Sequence, residues 1–379
     1  MGKRANGEGN IYQRENGTWE GRLSYIDPAT DARKRVSVYA PTAKECRAKL
    51  KTAATRISDG QPAKDAAMTV SDWLHTWRTT ALEASDRRGT TKALYAGLSK
   101  NHLEPGTLGA KRLDKLRPSD VEALVVKLRK DGLAESSVRQ VYTVLRGALD
   151  IAVRDGLLAT NPVAKVRRPK VTRTEAKHLS MTEVATLLTH AKESRYFPAV
   201  LLMAGSGLRR GEVAGLAWAD IDLDKAELRV RHTLSRVGGE LVLTEPKTTR
   251  SRRRVPLPSS VVTELKAHKI RQDTERKTAA NVWTETGMVF TTAAGTMVDP
   301  RNLLRVVEVA AKASGIEGAG AHTLRHSAAV GLLEGGAHIK AVADILGHSS
   351  IAITGDIYGH TSDDAARSAI DNLGAALGH

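Results

Sequence analysis

Two proline-containing segments divide this chain and limit how much of it one hydrophobic core can include. The first is Asp59-Gly60-Gln61-Pro62, and the second runs from Asn161 to Lys177. Proline lacks a backbone N–H and restricts the residue before it, so both segments interrupt regular structure. A chain of 379 residues is also too long for one ordinary core. We therefore expect several domains, with parts at 1–60, 68–165, 166–177 and 178–379.

Residues 1–60 have the pattern of a small β-sheet followed by a helix. Three segments rich in β-branched and aromatic residues favour strands, at 10–14, 19–26 and 33–39. Asn16-Gly17, between the first two, is a strong hairpin signal. Residues 42–57 then favour a helix. A basic sheet of this kind can enter a DNA groove, and a solvated β-meander is the alternative interpretation.

Residues 68–165 favour packed helices. The run from Ser119 to Glu122 predicts a capping box that opens one helix. Ser136 or Ser137 is expected to cap a longer helix that ends near Arg154. The following basic linker, 166–177, is expected to be extended and to lie along phosphates, although a simple tether has the same pattern.

Residues 178–379 predict a mixed domain of helices and strands. Asp299-Pro300 has the pattern of an N-cap followed by a proline at the first helical position. Three segments favour one three-stranded antiparallel patch, at 227–234, 240–243 and 252–257. The predicted fold class is therefore multidomain and mainly α with small β parts, comprising a three-stranded sheet plus helix, a helical domain and a mixed α+β domain.

The charge of the chain favours a polyanionic partner. It has 58 Lys and Arg residues against 42 Asp and Glu residues, which gives a formal net charge of +16. Such an excess attracts nucleic acid, although it also fits an unspecialised basic protein. Cys46 is the only cysteine, so no intrachain disulfide is possible, as is usual in a reducing cytosol. No apolar run is long enough for a membrane span, and we expect a cytoplasmic protein that associates with the nucleoid when on DNA.

Arginine, histidine and tyrosine residues recur in a pattern suited to phosphodiester chemistry. His322 and Arg325 are three residues apart, so they share one face at the start of a helix. Tyr358 follows His348 by ten residues, and Arg209 comes directly after a Gly-Leu pair far upstream. Guanidinium groups match the bidentate geometry of a phosphate, and a tyrosine hydroxyl can attack phosphorus to form a covalent ester.

These ordered motifs resemble those of the tyrosine recombinase (phage integrase) family, in particular the integrases of actinobacterial phages and integrative plasmids. The resemblance implies a catalytic set made of Arg209, Lys247, His322, Arg325, His348 and Tyr358. It implies that Tyr358 is the nucleophile and forms a 3′-phosphotyrosyl link. It also implies that Lys247 protonates the departing 5′ oxygen from a hairpin tip. Glu212 and His326 are expected to be structural supports.

The resemblance further implies a domain order of arm-type DNA-binding β-module, core-binding domain and catalytic domain. The expected activity is to cut and rejoin DNA so that a mobile element is integrated or excised. The expected partners are double-stranded DNA attachment sites, other protomers in a tetramer on DNA, an excisionase and a host DNA-bending protein. No metal or other cofactor is expected, because the phosphotyrosyl bond conserves the energy of the cut strand.

Basic residues in the N-terminal β-module, in the basic linker and just after Lys247 are candidates for DNA contact. They are Arg33, Lys34, Arg35, Arg167, Arg168, Lys170, Arg250, Arg252 and Arg253. Three alternatives remain at this point. A type IB topoisomerase would relax DNA with similar residues, and a DNA-binding regulator would have lost catalysis. A zinc pair of His322 and His326 is the third, but it is disfavoured because Arg325 would repel a dication.

Overall fold

The computed structural model describes residues 9–26, 33–58, 68–172, 177–246 and 252–347, together with the isolated positions 355, 367, 370, 371 and 374. The chain forms two compact units, residues 1–173 and 174–379. In these described ranges, no helix is both long and apolar enough to cross a membrane.

The first unit begins with the three-stranded antiparallel sheet that the sequence predicts. Its strands are β1 (Asn10–Gln13), β2 (Trp19–Ile26) and β3 (Arg33–Ala40), with β2 in the centre. Helix α1 (Ala43–Ser58) covers one face of the sheet. Gly21 permits this close packing, because a Cβ there would lie 3.1 Å from the Cys46 sulfur. The predicted hairpin and helix are therefore confirmed to within a residue or two.

The rest of the first unit is helical. Its helices are α2 (Val70–Trp77), α3 (Gly89–Leu98), α4 (Gly106–Ala110), α5 (Pro118–Lys130) and α6 (Glu135–Arg154), with π-helical turns at Arg78–Leu82 and Ser99–Leu103. Helix α6 has an apolar face that packs in the centre of this core. The indole N–H of Trp73 donates to the Ala148 carbonyl over 3.0 Å and so joins α2 to α6.

Two predicted helix starts are wrong. Helix α5 begins at Pro118, one residue before the expected cap at Ser119, because proline suits the first helical position and has no N–H to leave unsatisfied. The Asp120 carboxylate accepts the Arg117 N–H over 2.8 Å and completes this start. Helix α6 begins at Glu135 without a serine cap.

The proline-containing segment from Asn161 to Lys177 is not extended at its start. Pro162–Lys165 forms a 3-10 turn in which the Asn161 side chain accepts the Val163 N–H over 2.9 Å. The hydroxyl of Tyr142 donates within about 3 Å to the carbonyls of Val163 and Val166, which fixes this segment to α6. Residues 167–172 then have no regular secondary structure.

In residues 177–246 and 252–347, the second unit has seven helices, most of which surround one large apolar core. They are α7 (Met181–Ala191), α8 (Phe197–Ser206), α9 (Arg210–Ala214), α10 (Ser259–Ala279), α11 (Pro300–Ala313), α12 (Ala321–Glu334) and α13 (Ile339–Leu346). Helix α13 packs on α12 through a smaller apolar cluster. The predicted cap of α11 is confirmed, since the Asp299 carboxylate accepts the Arg301 N–H over 2.9 Å.

The predicted three-stranded patch in this unit is wrong. The strands form two separate sheets instead, β4 (Ile221–Asp222) with β5 (Glu227–Arg229) and β8 (Arg254–Pro256), and β6 (Thr233–Val237) with β7 (Glu240–Thr244). Strands β7 and β8, which flank this position in the chain, belong to different sheets, and the expected hairpin tip with Lys247 lies outside the described residues. Local pattern could not reveal this, because pairing of β8 with β5 depends on contacts distant in sequence.

Candidate active site

The site begins at the sharp turn between α8 and α9. Gly207 has a left-handed backbone with φ of +63°, and a Cβ there would lie 2.5 Å from the Leu346 side chain. Glycine therefore allows this turn to touch the end of α13. Arg209 follows at the start of α9, and 38% of its side chain is exposed. This turn presents one guanidinium at the surface beside the end of a distant helix.

Helix α12 contributes Arg325 from the opposite side of the turn. Arg325 is only 3% exposed, and its two terminal nitrogens donate to the carbonyls of Gly207 over 2.7 Å and Leu346 over 2.8 Å. One buried guanidinium thus joins three elements, the α8–α9 turn, α12 and α13. Since a guanidinium has five donors in a planar fork, these contacts also fix the orientation of the group.

His322 lies on the first turn of α12, near the same arginines. Its ring reaches solvent on one side, but partial burial lowers its pKa below the ordinary value of 6.5. The positive charges of Arg325, Arg209 and Arg210 lower it further, because they disfavour a second cation. The imidazole is therefore neutral at pH 7 and can accept a proton.

A buried carboxylate connects this group to the strand region. Glu212 is 3% exposed, and one of its oxygens accepts from the Arg209 backbone N–H over 2.9 Å while the other accepts from the Arg209 guanidinium over 3.0 Å. Arg253 donates to both oxygens, over 3.2 and 2.9 Å. Burial alone would raise the pKa of Glu212, but the hydrogen bonds and charges of Arg253 and Arg209 outweigh burial and keep it low. Glu212 is therefore ionised and shared by two arginines.

The C-terminal end of α13 closes the described part of the site. Gly347 ends this helix in a left-handed conformation with φ of +68°. The Ile345 carbonyl accepts from the Arg253 side chain, and the Leu346 carbonyl accepts from Arg325. The guanidinium groups of Arg253 and Arg325 thus bind carbonyls that the helix leaves unpaired. Their positive charge also interacts favourably with the negative C-terminal end of the helix dipole. His348 is the next residue in the chain.

The structure brings together Arg209, His322 and Arg325 from two segments far apart in sequence. Four further candidates lie outside the described residues, namely Lys247, Arg250, His348 and Tyr358. His326 lies one residue beyond Arg325 on α12, and its pKa is lowered by partial burial and then by the neighbouring His322 and Arg325. Within the described ranges, no three His, Cys, Asp or Glu side chains are grouped so that they could hold a metal ion.

The candidate DNA-contact residues differ in exposure. Those at the surface are Arg33, Lys34, Arg35, Arg167, Arg168, Lys170 and Arg252. Arg253 is different, because only 6% of its side chain is exposed and its guanidinium binds Glu212. Sequence reasoning interpreted Arg252 and Arg253 alike, since both belong to one arginine run, but in an extended backbone successive side chains point in opposite directions.

Comparison with known proteins agrees with this geometry. Residues 177–365 match the model of the phage integrase family. The chain is 32% identical over 334 residues to a XerC-like tyrosine recombinase of Caldanaerobacter subterraneus subsp. tengcongensis, covering 83% of this chain and 85% of that protein. The chain belongs to the phage integrase family of tyrosine recombinases. It is therefore a site-specific DNA recombinase, as the motifs of the sequence predicted.

Further similarities extend over most of the recombinase. An integrase of Saccharopolyspora erythraea is 26% identical and aligns with 91% of each chain. The structure of the Tn1549 transposon integrase in complex with a circular intermediate DNA has a TM-score of 0.66, 22% identity, and covers 81% of this chain and 99% of that chain. A lambda integrase tetramer bound to a Holliday junction has a TM-score of 0.57, 19% identity, and covers 95% and 99%. These two structures confirm the predicted fold class.

Proposed function

We propose that this recombinase cuts one DNA strand through Tyr358 and rejoins it to a partner duplex. The tyrosine oxygen attacks the scissile phosphorus, the bond from phosphorus to the 5′ oxygen breaks, and a 3′-phosphotyrosyl link and a free 5′ hydroxyl result. The 5′ hydroxyl of the partner strand then attacks the same phosphorus and releases the tyrosine. The observation that carries this proposal is the convergence of Arg209, His322 and Arg325 beside the end of α13, the helix that leads to His348.

The two arginines bind the scissile phosphate in this proposal. Arg209 presents a partly exposed guanidinium, and the guanidinium of Arg325 lies beside the same turn. As the phosphoryl group is transferred, charge spreads over its non-bridging oxygens, and preoriented donors stabilise that charge. Arg325 also binds backbone carbonyls, so it both organises the site and contributes positive charge to it.

Two side chains transfer protons in this proposal, and a third donates a hydrogen bond. His322 takes the proton from Tyr358, because its lowered pKa leaves the imidazole neutral and able to accept. Lys247 gives a proton to the departing 5′ oxygen, and His348 donates a hydrogen bond to a non-bridging oxygen. Each step exchanges one phosphoester for another, so no net energy source and no metal is required.

The biological reaction that we propose is integration and excision of a mobile element at DNA attachment sites. The proposed assembly is a tetramer on DNA that exchanges strands in pairs, in analogy to the lambda integrase tetramer on a Holliday junction. An excisionase and a host DNA-bending protein are the proposed accessory partners. The protein would act in the cytoplasm, on the nucleoid. The seven exposed basic residues among the candidates would grip phosphates, which makes binding salt-dependent.

A plasmid assay separates this function from its alternatives. Supercoiled DNA that carries the attachment sites is incubated with the recombinase, and the products are resolved by electrophoresis. Recombinant circles are expected. Relaxation without recombinants would support a type IB topoisomerase activity, and retention of DNA without any cleavage would support a regulator.

The same assay tests the nucleophile. Tyr358→Phe retains the aromatic ring but removes the attacking oxygen, so we expect normal DNA binding and no covalent protein–DNA adduct. A covalent adduct formed by the phenylalanine variant would exclude Tyr358 as the nucleophile.

A further inference from the structure

The least expected side chain in the site is that of Arg253. It lies directly before β8 in a run of three arginines, Arg252 to Arg254. Its two neighbours are exposed, by 56% and 64% of their side chains, and pair with Glu245 and Glu227. The Arg253 backbone carbonyl accepts the Val230 N–H over 2.9 Å, and its side chain is only 6% exposed. The strand therefore directs this one arginine inward.

The guanidinium of Arg253 links two parts of the site that are far apart in sequence. Its terminal nitrogens form a two-pronged contact with both oxygens of Glu212, and its Nε donates to the Ile345 carbonyl at the end of α13. The contact continues from Glu212 to Arg209. One continuous series of hydrogen bonds thus runs from Ile345 through Arg253 and Glu212 to Arg209.

This arrangement affects the charge available at Arg209. With Arg253 present, one buried carboxylate is shared by two guanidinium groups, so the three side chains carry a net charge of +1. Without Arg253, the charge of Glu212 would be balanced within the group by Arg209 alone, and the net charge would be zero. A buried carboxylate that loses one partner attracts the other more strongly, because the interior screens charge poorly.

We propose that Arg253 is a positioning residue for DNA cleavage and not a DNA-contact residue. By sharing Glu212, it leaves the positive charge of the Arg209 guanidinium less neutralised and so available to the scissile phosphate. By binding the Ile345 carbonyl, it holds the end of α13 from which His348 follows. This inference rests on the proposed role of Arg209 as a phosphate-binding residue.

The first test measures single-turnover cleavage of a nicked core site by Arg253→Gln. A misplaced catalytic group costs up to about 10²-fold in rate, so we expect a loss of roughly 10- to 10²-fold with DNA affinity unchanged. Arg253→Lys should recover only part of the rate, since one ammonium cannot reproduce the planar fork. Arg271→Gln is the matched control, because Arg271 also forms an ion pair but is 50% exposed on α10. A parallel loss of DNA affinity would instead make Arg253 a DNA-contact residue.

A substrate with a methylphosphonate at the scissile position distinguishes positioning from simple loss of stability. Replacing one non-bridging oxygen by methyl removes the negative charge that Arg209 neutralises. The rate defect of Arg253→Gln relative to the parent protein should therefore shrink on this substrate, as should that of Arg209→Ala. An equal defect on both substrates would overturn the inference for Arg253. If Arg209→Ala itself has an equal defect on both, the proposed phosphate-binding role of Arg209 is at fault.

A glycine pair gives a second and independent perturbation. A Cβ at Gly347 would lie 2.9 Å from a terminal nitrogen of Arg253, whereas a Cβ at Gly336 would meet nothing within 4 Å. Both glycines have a left-handed backbone, with φ of +68° and +82°, so alanine introduces similar backbone strain at each. Only Gly347→Ala should slow cleavage of normal DNA, and its rate defect should shrink on the methylphosphonate substrate. The same behaviour in both variants, or in neither, would contradict the proposed role of Arg253.

Discussion

At the scale of single residues, the site is organised by arginines with different tasks. Arg209 is partly exposed, whereas the side chains of Arg325 and Arg253 are largely shielded from solvent and bind backbone carbonyls at the end of α13. Burial of a charged group is costly unless it is paired and hydrogen-bonded, and Glu212 together with these carbonyls meets that requirement. The same contacts fix Arg325, which lies three residues after His322 on α12.

The pH dependence of cleavage tests the role of His322. Its pKa lies below 6.5, so the neutral form persists at pH 7 and is lost only at more acid pH. We expect the single-turnover rate to be flat near neutrality and to fall below pH 6.5. His322→Asn should be about 10²–10⁴-fold slower and should lack this acid limb. An unchanged acid limb in the asparagine variant would assign it to another group.

The free energy of unfolding, like the cleavage rate, should decrease as the pH falls. Because the folded state binds the His322 proton only at lower pH than the unfolded state, folding is opposed as the pH falls through this window below 6.5. Differential scanning calorimetry of the parent and His322→Asn proteins would show this as a smaller acid destabilisation in the variant.

Lys247 as the general acid gives a prediction with a chemical rescue. An alkoxide is a poor leaving group and needs a proton, whereas a thiol, with a pKa of about 8.5 by analogy with cysteine, leaves more readily. Lys247→Ala should therefore cleave normal DNA slowly but cleave DNA with a bridging 5′ sulfur at nearly the parental rate. Arg209→Ala should remain slow on both, because it acts on the phosphoryl charge. Failure of the sulfur to rescue Lys247→Ala would assign the proton to another residue.

At the scale of elements, contacts at the ends of helices position the residues of the site. Gly207 and Gly347 end α8 and α13 in left-handed conformations and bring these ends into contact. Asp299 acts at a helix start, where its carboxylate accepts the Arg301 N–H and also the Arg236 side chain of β6 over 2.8 Å. One carboxylate thus caps α11 and ties it to the β6–β7 hairpin.

Removing this cap should reduce stability measurably. Asp299→Ala is expected to cost about 0.5–2 kcal/mol, the usual range for a lost N-cap. The pKa of Asp299 is lowered, since the hydrogen bonds of Arg301 and Arg236 outweigh the effect of burial. Its contribution is therefore present above pH 3.8 and is lost as the pH falls through the depressed value. Urea denaturation at pH 7 and at acid pH checks this, with the exposed Asp273→Ala as control, and an equal effect of the two substitutions would contradict the prediction.

At the scale of the whole molecule, the N-terminal sheet lies within the first compact unit. Helix α1, which covers the sheet, contacts the helical part of that unit through a 3.6 Å ion pair between Arg56 and Asp114. The residues 1–60 nevertheless have their own small core beneath the sheet. The sheet and α1 therefore pack together around apolar residues of their own.

Deletion of residues 1–60 should separate cleavage from integration. We expect the truncated recombinase to cut a single core site but to fail in full integration, because the proposed arm contacts are lost. Arg56→Gln is the control for loss of the contact with Asp114, which is also paired with Arg112 over 3.0 Å. Cleavage of a core-site oligonucleotide and integration into a plasmid are measured in parallel. Equal integration by the parent and truncated proteins would refute the prediction.

The sequence by itself determined the features that depend on neighbouring residues. The Asn16-Gly17 hairpin, the Asp299 cap and the end of α13 at Gly347 all follow from local backbone preferences. The motifs around Arg209, His322 and Arg325 also indicated the family, because the chemistry of phosphate transfer needs those residue types.

Only the tertiary structure decided which strands pair and which arginine faces inward. Strand β8 pairs with β5 and not with β7, and this pairing directs Arg253 toward Glu212 while its neighbours stay at the surface. Three adjacent arginines have the same local preferences, so their sequence could not separate them. Their roles differ because burial and partners depend on contacts between segments distant in the chain.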